Sequence, residues 1–335
     1  LSAKNNSIEN CSRRDFSCSL LALASGALLP AASHAAAPQQ EPLEIIDTHQ
    51  HLWDLKQFRL EWLKGNATLE KNFVTADYLA ASEGLNIRRA VYMEVDVVPE
   101  QQADEAEWVI GLCKGGKTPT VAAVIGGDLL KPEFATYIHK FAESPYIKGV
   151  RHIVAGLPGD SVFQDNRFLS HIKLLRDRKL RFDLCTRPDQ LPAAARLCAK
   201  FPDMQFILDH CGNPDYMAFL SASQRTRKAD HEPDVWKKGL AEIAKQENVV
   251  CKLSGIIAKV DKEAWKPSQL APIIEHCVDC FGVDRVIFAS DWPVCLLGAT
   301  LKEWVEALKE LTLQYGSAVQ HKIFSRNAER IYALK

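Results

Sequence analysis

Eight short apolar segments recur along this chain, and most are followed by a longer stretch of amphipathic pattern. Continuous apolar strands that alternate with helices are typical of a parallel sheet covered by helices on both faces. The predicted strands are Glu44–Thr48, Arg89–Val95, Thr120–Gly126, Ile147–His152, Arg181–Cys185, Gln205–Asp209, Val249–Leu253 and Arg285–Ala289. Eight such units predict an α/β fold, a single-domain (β/α)8 TIM-type barrel, rather than an open doubly wound sheet. No Gly-x-Gly-x-x-Gly motif follows the first strand, which argues against a dinucleotide-binding fold.

Amphipathic segments between the strands predict the surrounding helices. They are Ala103–Cys113, Lys131–Phe141, Asn166–Asp177, Gln190–Phe201, Trp236–Gln246, Leu270–Phe281, Leu301–Leu313 and Ser317–Leu334. Two segments are longer than ordinary loops: Leu52–Asn72 follows the first strand, and Asn213–Asp234 follows the sixth. Because loops of this kind rise on the catalytic face of a barrel, both are predicted to wall or cover a substrate site.

The first 37 residues have the composition of a signal peptide. Arg13 and Arg14 precede an uncharged run, Ser17–Leu29, and an alanine-rich segment follows, which predicts cleavage after Ala35 or Ala37. The run is shorter than the roughly 20 residues that cross a bilayer, so no membrane span is predicted. The arrangement resembles a twin-arginine signal, whose cargo is exported already folded. We therefore expect residues 38–335 to form an exported, periplasmic or extracytoplasmic barrel; a disordered N-terminal tail is the alternative.

The net charge indicates the class of partner, and the cysteine spacing indicates whether the thiols bind a metal ion. The formal net charge is -1, whereas nucleic-acid-binding domains carry a basic excess or a basic stripe, so a small-molecule partner is expected. Cys277 and Cys280 have the spacing of metal ligands, but they lie in a helical pattern and the sequence has no second such pair. The thiols are therefore predicted to be structural, because buried free cysteines behave as small hydrophobic residues.

The first predicted strand ends in the motif Asp47-Thr48-His49-Gln50-His51. Side chains alternate along a strand, so Asp47, His49 and His51 are expected on one face. Two imidazoles at this spacing can share one metal ion or one oxyanion. A site at the mouth of the barrel is therefore predicted, although a single histidine there would more often be structural.

Polar side chains also occur near the ends of four other predicted strands. They are Glu94 on the second strand, Arg151 and His152 on the fourth, His210 after the sixth and Asp291 after the eighth. Unpaired polar groups near a core are costly, so five strands with this feature indicate a functional site at the carboxyl ends of the strands.

The chain resembles the amidohydrolase superfamily, in particular its branch of lactone hydrolases. The matching segments occur in the family's order and are Asp47–Trp53, Gly149–His152, Leu208–Gly212, Lys252–Gly255 and Ser290–Pro293. The resemblance covers residues 45–335 and implies a hydrolase that opens a lactone, expected to be sugar-derived, in carbohydrate metabolism.

The resemblance also implies roles for individual residues. His49 and His51 would bind a divalent metal or, in members that work without metal, donate hydrogen bonds to the lactone carbonyl. His210 would contact the metal or the substrate oxygen. Asp291 would take the proton from the attacking water and could also touch the metal. Glu94 is similar to the acid that some sugar lactonases add to the metal site.

One departure from the superfamily limits the number of metal ions. Binuclear members use a histidine on the fifth strand and a bridging lysine on the fourth, but Arg181–Cys185 contains no histidine and Lys148 lies too early in its strand. The expectation is one divalent ion, zinc or similar, or none.

The residue types agree with ester hydrolysis, which needs a deprotonated water and a stabilised oxyanion. Arg151 and the adjacent His152 are predicted to bind substrate, the arginine through its planar guanidinium. The rings of Trp53, Trp62 and Trp292 are predicted to face a sugar ring, with ordinary packing as the alternative.

Two other functions remain open from the sequence. A metal-dependent decarboxylase could use the same scaffold, because function depends on the site rather than the fold. A non-catalytic, exported ligand-binding barrel is the second alternative, but such a protein has no need of Asp291 as a general base.

Overall fold

The computed structural model describes residues 42–334, which form eight parallel strands in sequential order. The strands are β1 (Ile45–Gln50), β2 (Ile87–Met93), β3 (Thr120–Gly126), β4 (Ile147–Ile153), β5 (Arg181–Cys185), β6 (Phe206–Leu208), β7 (Val249–Leu253) and β8 (Val286–Phe288). The ring closes where the first strand meets the segment after the eighth, because His51 N donates to Trp292 O (2.8 Å) and Asp291 N donates to His49 O (2.9 Å). The predicted (β/α)8 barrel is confirmed.

Helices follow the strands and form the outer layer. They are α1 (Thr75–Ala81), α2 (Gln102–Gly115), α3 (Phe134–Phe141), α4 (Asn166–Asp177), α5 (Leu191–Lys200), α6 (Pro233–Ala244), α7 (Pro267–Phe281), α8 (Leu301–Thr312), α9 (Ser317–His321) and α10 (Asn327–Tyr332), with a π-helical turn at Lys322–Arg326. The helix predicted at Ser317–Leu334 is therefore divided into three parts. Helix α1 was not among the predicted helices, because its seven residues bury only Tyr78 and give little periodic signal.

The interior of the barrel is apolar at the end where the strands begin. Its buried residues come from β2, β3, β6, β7 and β8 and include Val91, Val124, Ile207, Val250 and Ile287. Ile331 and Tyr332, at the end of α10, pack against this cluster, and Arg181 Nε donates to Ile331 O at 2.7 Å. The C-terminal segment thus closes this end of the barrel and leaves the carboxyl ends of the strands for polar groups.

The prediction that the cysteines are structural thiols agrees with the described residues. Cys277 and Cys280 lie in α7, and the eight cysteines between residues 42 and 334 are free thiols. No helix in the same range is both long and apolar enough to cross a bilayer. The predicted signal peptide and its twin-arginine motif lie outside the described residues.

Candidate active site

Strict alternation along the first strand predicts that Asp47 lies beside the two histidines, but the structure places it elsewhere. Pairing between β1 and β2 is irregular between Asp47 and Gln50, so alternation is broken there. The Asp47 carboxylate instead accepts hydrogen bonds from Ser290 N (2.8 Å), Ser290 Oγ (2.5 Å), Tyr78 Oη (2.8 Å) and His49 N (3.1 Å). Asp47 therefore joins β1 to the segment after β8, and this connection positions His49 next to Asp291.

His49, His51 and Asp291 meet at the mouth of the barrel. Asp291 Oδ1 lies 3.3 Å from His51 Nε2 and 3.6 Å from His49 Nε2. The Nδ1 atom of His51 lies 3.0 Å from Met93 O, which can only accept a hydrogen bond, so a neutral His51 carries its proton on Nδ1. The Nε2 lone pair of His51 then faces the Asp291 carboxylate, and a proton or another cation is needed between these two acceptors.

His210 completes the group from the opposite side. Its ring centroid lies 4.6 Å from that of His49, and its Nδ1 lies 3.0 Å from Ser254 Oγ. Gly255 permits this approach, because a Cβ atom at that position would lie 2.5 Å from His210 Cβ. Burial lowers the pKa of His210 despite the nearby carboxylate of Asp291, so the imidazole is neutral at pH 7.

Three of the predicted metal ligands lie close enough to bind one metal ion jointly. One ligand atom each from His49, His210 and Asp291 lies within 4.8 Å of the other two, and all three residues are buried. Glu94, also predicted as a ligand, is instead an ion-pair partner: Arg151 Nε donates to Glu94 Oε1 at 2.5 Å, and Arg151 Nη2 donates to Glu94 O at 2.9 Å. Burial tends to lower the pKa of Arg151, but the negative charge of Glu94 raises it by more, so the guanidinium stays charged.

Arg151 also contacts the first-strand histidine directly. Its Nη1 lies 3.3 Å from His49 Nε2, while Lys252 Nζ lies 3.2 Å from His49 Nδ1. Both groups can only donate, and a neutral imidazole accepts at one nitrogen only. Asp209 Oδ1, 3.4 Å from His49 Nδ1, can accept that proton, which leaves Nε2 as the acceptor facing Arg151. Burial, followed by the charge of Lys252, lowers the pKa of His49 well below its ordinary value.

A fully buried charge network beneath His49 was missed in the sequence. Lys252 Nζ forms ion pairs with Asp183 Oδ2 (2.6 Å) and Asp209 Oδ1 (3.0 Å). Burial raises the pKa of Asp183 to about 7. Burial also favours a higher pKa at Asp209, but Lys252 and His49 outweigh it and hold the pKa of that carboxyl well below its ordinary value. The positive charge of Lys252 therefore compensates the negative charge of Asp209, and the Asp209 carboxylate in turn orients the His49 ring.

The sequence did carry a signal for this network. Asp183 and Lys252 are charged residues inside the otherwise largely apolar strands β5 and β7. A charged side chain in such a strand is almost never buried without a partner. Two of opposite sign indicate an internal ion pair, but the sequence does not say that His49 lies against it.

Backbone strain is concentrated around the same strand ends. Eight non-glycine residues between positions 42 and 334 have positive φ, and five of them follow β2, β6 or β8: Asp96, His210, Cys211, Asn213 and Asp291. Such conformations cost about 1–3 kcal/mol each and persist where the surrounding structure enforces them, often at functional sites. The clustering independently marks the carboxyl ends of the strands as the working face.

A cavity of about 450 Å³ opens above these groups. Its polar lining comes from His51, Asp96, Arg151, His210, Asn213, Lys259 and Asp291, and its apolar lining includes Trp62, Val95, Ile153, Ala258, Val294 and Leu297. The predicted long loops therefore both reach the cavity, one through Trp62 and the other through Asn213. A volume of this size accommodates a small molecule.

The three predicted tryptophan faces do not share one position. Trp62 is 40% exposed and lines the cavity, with its Nε1 donating to Val95 O at 2.8 Å. Trp53 is fully buried and donates from Nε1 to Lys71 O at 2.7 Å, and Trp292 is 1% exposed and packs edge-on against Phe73. Trp53 and Trp292 therefore follow the packing alternative, because both rings belong to the packed layer behind the cavity.

His152 lies beside the main cavity rather than in its lining. Its Nδ1 accepts a hydrogen bond from Leu129 N at 3.3 Å, and its Nε2 lies 3.6 Å from Asp128 Oδ1. It lines an adjacent cavity together with Glu94 and Arg151. Its contact with substrate stays a prediction, and such a contact would be made from the adjacent cavity.

Comparison with known proteins places the chain in a family. The Amidohydrolase family model matches residues 46–334. The chain belongs to the amidohydrolase family. It is accordingly an enzyme of the hydrolase class, and the superfamily resemblance inferred from the sequence is confirmed.

Three proteins illustrate the relationship. The L-fucono-1,5-lactonase of Burkholderia multivorans is 28% identical over 298 residues, which cover 86% of this chain and 96% of that protein. The L-rhamnono-gamma-lactonase of Scheffersomyces stipitis is 24% identical over 346 residues, covering 86% of this chain and 98% of that protein. A crystal structure of an amidohydrolase from Burkholderia multivorans with bound zinc superimposes with a TM-score of 0.76 at 24% identity, covering 87% of this chain and all of that one.

Proposed function

We propose that this amidohydrolase opens a sugar-derived lactone by adding water to its ester carbonyl. The observation that carries the proposal is the position of Asp291, whose Oδ1 lies 3.3 Å and 3.6 Å from the Nε2 atoms of His51 and His49 at the base of the cavity. The names of the two lactonase relatives support the cyclic ester and its sugar origin.

Asp291 acts as the general base in this proposal. A water placed beside the Asp291 carboxylate and His51 Nε2 can donate one hydrogen to each of these two acceptors. Asp291 takes a proton as the water oxygen attacks the carbonyl carbon, and the ring carbon–oxygen bond then breaks to leave a hydroxyl and a carboxylate. General-base catalysis of this kind contributes typically about 10²–10⁴-fold to the rate.

Arg151 and His210 stabilise the oxygen on which negative charge develops. Glu94 fixes Arg151 through Nε and Nη2, which leaves Nη1 on the side of His49. When Ser254 donates to Nδ1 of His210, the Nε2–H of the neutral ring can donate into the cavity. Donors that are already oriented lower the barrier because they need not reorganise during the reaction.

The donor set also fits one divalent ion. His49, His210 and Asp291 would hold it; His210 would then carry its proton on Nδ1, toward Ser254 Oγ, and bind the ion through Nε2 instead of donating from it. The acceptor pair of His51 and Asp291, which needs a cation, supports such an occupant. Bound there, the ion would supply Lewis acidity toward the ester carbonyl and toward water. We propose a single ion, zinc or similar, because β5 carries no histidine and Lys148 Nζ points to Ala333 O at the closed end of the barrel.

The proposal is tested by incubating the purified protein with a panel of aldono-1,4- and 1,5-lactones. Acid release is followed with a pH indicator, carbon dioxide is measured in parallel with aromatic carboxylates, and enzyme-free samples correct for spontaneous opening. Elemental analysis of the same preparation gives its metal content, and activity is compared with and without chelator.

We expect acid release from at least one lactone, no carbon dioxide and at most one ion per chain. Carbon dioxide release without lactone opening would favour the decarboxylase alternative. Binding of a lactone without turnover would favour the non-catalytic barrel. Two tightly bound ions per chain would contradict the single-metal site.

A further inference from the structure

A second cavity, of about 550 Å³, lies beside the first on the same face of the barrel. The loops after β4, β5, β6 and β7 build it, and its lining includes Arg187, Asp189, Asp215, Asp230 and His231. The two cavities have three lining residues in common: Cys185, Asn213 and Lys259. A substrate attacked in the first cavity can therefore extend a substituent toward this shared wall.

Lys259 is the positive charge on the shared wall. Its Nζ donates to Asn213 O at 3.1 Å and to Pro214 O at 3.2 Å. These carbonyls use two of the three ammonium hydrogens and leave one for another acceptor. Among residues 42–334, Lys259 forms no ion pair with a carboxylate, and burial lowers its pKa.

The two acids whose charges act most on Lys259, Asp215 and Asp230, form their ion pairs with Arg227 instead. Asp215 accepts hydrogen bonds from Arg227 Nη1 (2.7 Å) and Nη2 (2.8 Å), and Asp230 Oδ1 lies 3.5 Å from the same guanidinium. The other permanent cation in the lining of the first cavity, Arg151, is paired with Glu94. A partly buried ammonium without a carboxylate partner is costly, and an anionic ligand removes that cost.

We propose that Lys259 binds a carboxylate of the substrate, at a position remote from the ester that is opened. This inference rests on the proposed function and narrows it to the lactone of a sugar diacid. Water adds to the lactone carbonyl and the ring carbon–oxygen bond breaks, so the product is a linear dicarboxylate and one proton is released. The carboxylate on Lys259 is unchanged throughout, and it fixes the end of the ring that faces Asp291.

The test uses pairs of 1,4-lactones that share ring stereochemistry and differ only at the terminal carbon, which is CH₂OH in an aldonolactone and a carboxylate in an aldarolactone. We compare kcat/KM for both members of each pair in the wild type, Lys259→Met and Lys259→Arg. Lys245→Met, an exposed lysine at the end of α6, is the matched control. Thermal melting checks folding, and calorimetry measures binding of the linear diacid without turnover.

We expect the wild type to favour the aldarolactone and Lys259→Met to lose about 10- to 100-fold in kcat/KM for it, the usual size of a hydrogen bond to a charged group. The loss should lie mainly in KM, should spare the neutral partner, and should be largely absent in Lys259→Arg and Lys245→Met.

Equal loss on both members of a pair, or a preference for the neutral lactone, would overturn the role of Lys259 and leave the proposed function intact. If no lactone is opened, the proposed function fails and calorimetry still decides: diacid binding that requires Lys259 supports the anion site, and absence of binding overturns it.

Discussion

Asp291 has the geometry of a reacting group rather than of a helix cap. The short 3₁₀ helix that follows, Val294–Leu297, has Pro293 at its N-cap and receives no side-chain cap. Asp291 also has φ +57°, a conformation that aspartate and asparagine tolerate better than most residues. The strained backbone is therefore explained by where it directs the carboxylate.

The first prediction is that Asp291→Asn lowers kcat by about 10²–10⁴-fold, because the amide cannot accept the proton from water. Fold and melting temperature should be retained, since asparagine has the same shape and tolerates positive φ. Steady-state kinetics on the lactone identified above measures the effect, with Asp284→Asn, an exposed acid paired with Lys322, as control. A near-normal kcat would remove Asp291 from the mechanism.

Lys252 carries the second prediction, which concerns stability. Replacing it with methionine leaves Asp183 and Asp209 buried without their cation, and the loss of one partner of a buried pair typically costs about 3–5 kcal/mol. Urea denaturation at pH 7 should show this decrease for Lys252→Met, whereas Lys245→Met should stay within about 0.5 kcal/mol of wild type.

The double variant Lys252→Met, Asp183→Asn tests whether the loss comes from the charge. It should be less destabilised than the sum of the two single changes, because the asparagine removes one uncompensated carboxylate. Strict additivity would mean that Lys252 contributes mainly through packing.

At the scale of elements, the β2–α2 connection is held by a buried acid. Glu105 in α2 accepts hydrogen bonds at Oε1 from Tyr92 Oη and from Val95 N, both at 2.8 Å. This contact fixes the segment that carries Glu94 and, through it, Arg151. Burial and then the charge of Glu94 raise the pKa of Glu105 to about 8.

The third prediction follows from the sign of that pKa shift. Between pH 4.5 and about 8 the folded state keeps the Glu105 proton while the unfolded state has lost it, so stability falls as pH rises. Glu105→Gln keeps the acceptor for Tyr92 and Val95 but does not titrate. The free energy of unfolding of the wild type should therefore decline relative to that of the variant, by up to about 1.4 kcal/mol per pH unit. Parallel curves from pH 5 to 8 would contradict the shift.

Most elements could be predicted from the sequence, because burial on both faces makes each strand an apolar run. Strands β3, β5 and β7 have the predicted bounds, and the others differ by one or two residues at one or both ends. The position of Asp47 could not be predicted, since it depends on an irregularity in the pairing of β1 with β2. A break in alternation is created by the partner strand and leaves no local pattern.

The site was predictable as a set of residues but not as a set of pairs. His49, His51, His210 and Asp291 do converge, because strand ends meet at one face of a barrel. The pairing of Glu94 with Arg151 depends on side-chain directions that the sequence does not contain. Polar groups at neighbouring strand ends can satisfy one another in several ways, and only the packed structure selects one.

On the scale of the whole molecule, the two ends of the barrel have opposite character. The C-terminal segment closes one end with Ile331 and Tyr332, and the buried charges of Asp183, Asp209 and Lys252 begin above the apolar layer. Asp209 and Lys252 remain ionised there because each has a partner of opposite sign. The second cavity lies outside this compensated network, which is why Lys259 is available to an anionic ligand.

The last prediction concerns export of the folded chain. Cleavage after Ala35 or Ala37 would leave the first strand, which begins at Ile45, intact, and the eight described cysteines need no oxidative folding because they are free thiols. Both features suit a twin-arginine route, which moves folded cargo. In a bacterial host, Arg13→Lys with Arg14→Lys should therefore retain the protein inside the cell without changing its melting temperature, whereas Lys4→Arg should be exported normally. N-terminal sequencing of the exported form should begin near residue 36 or 38. Export that is unaffected by the double lysine variant would contradict the arginine-dependent route.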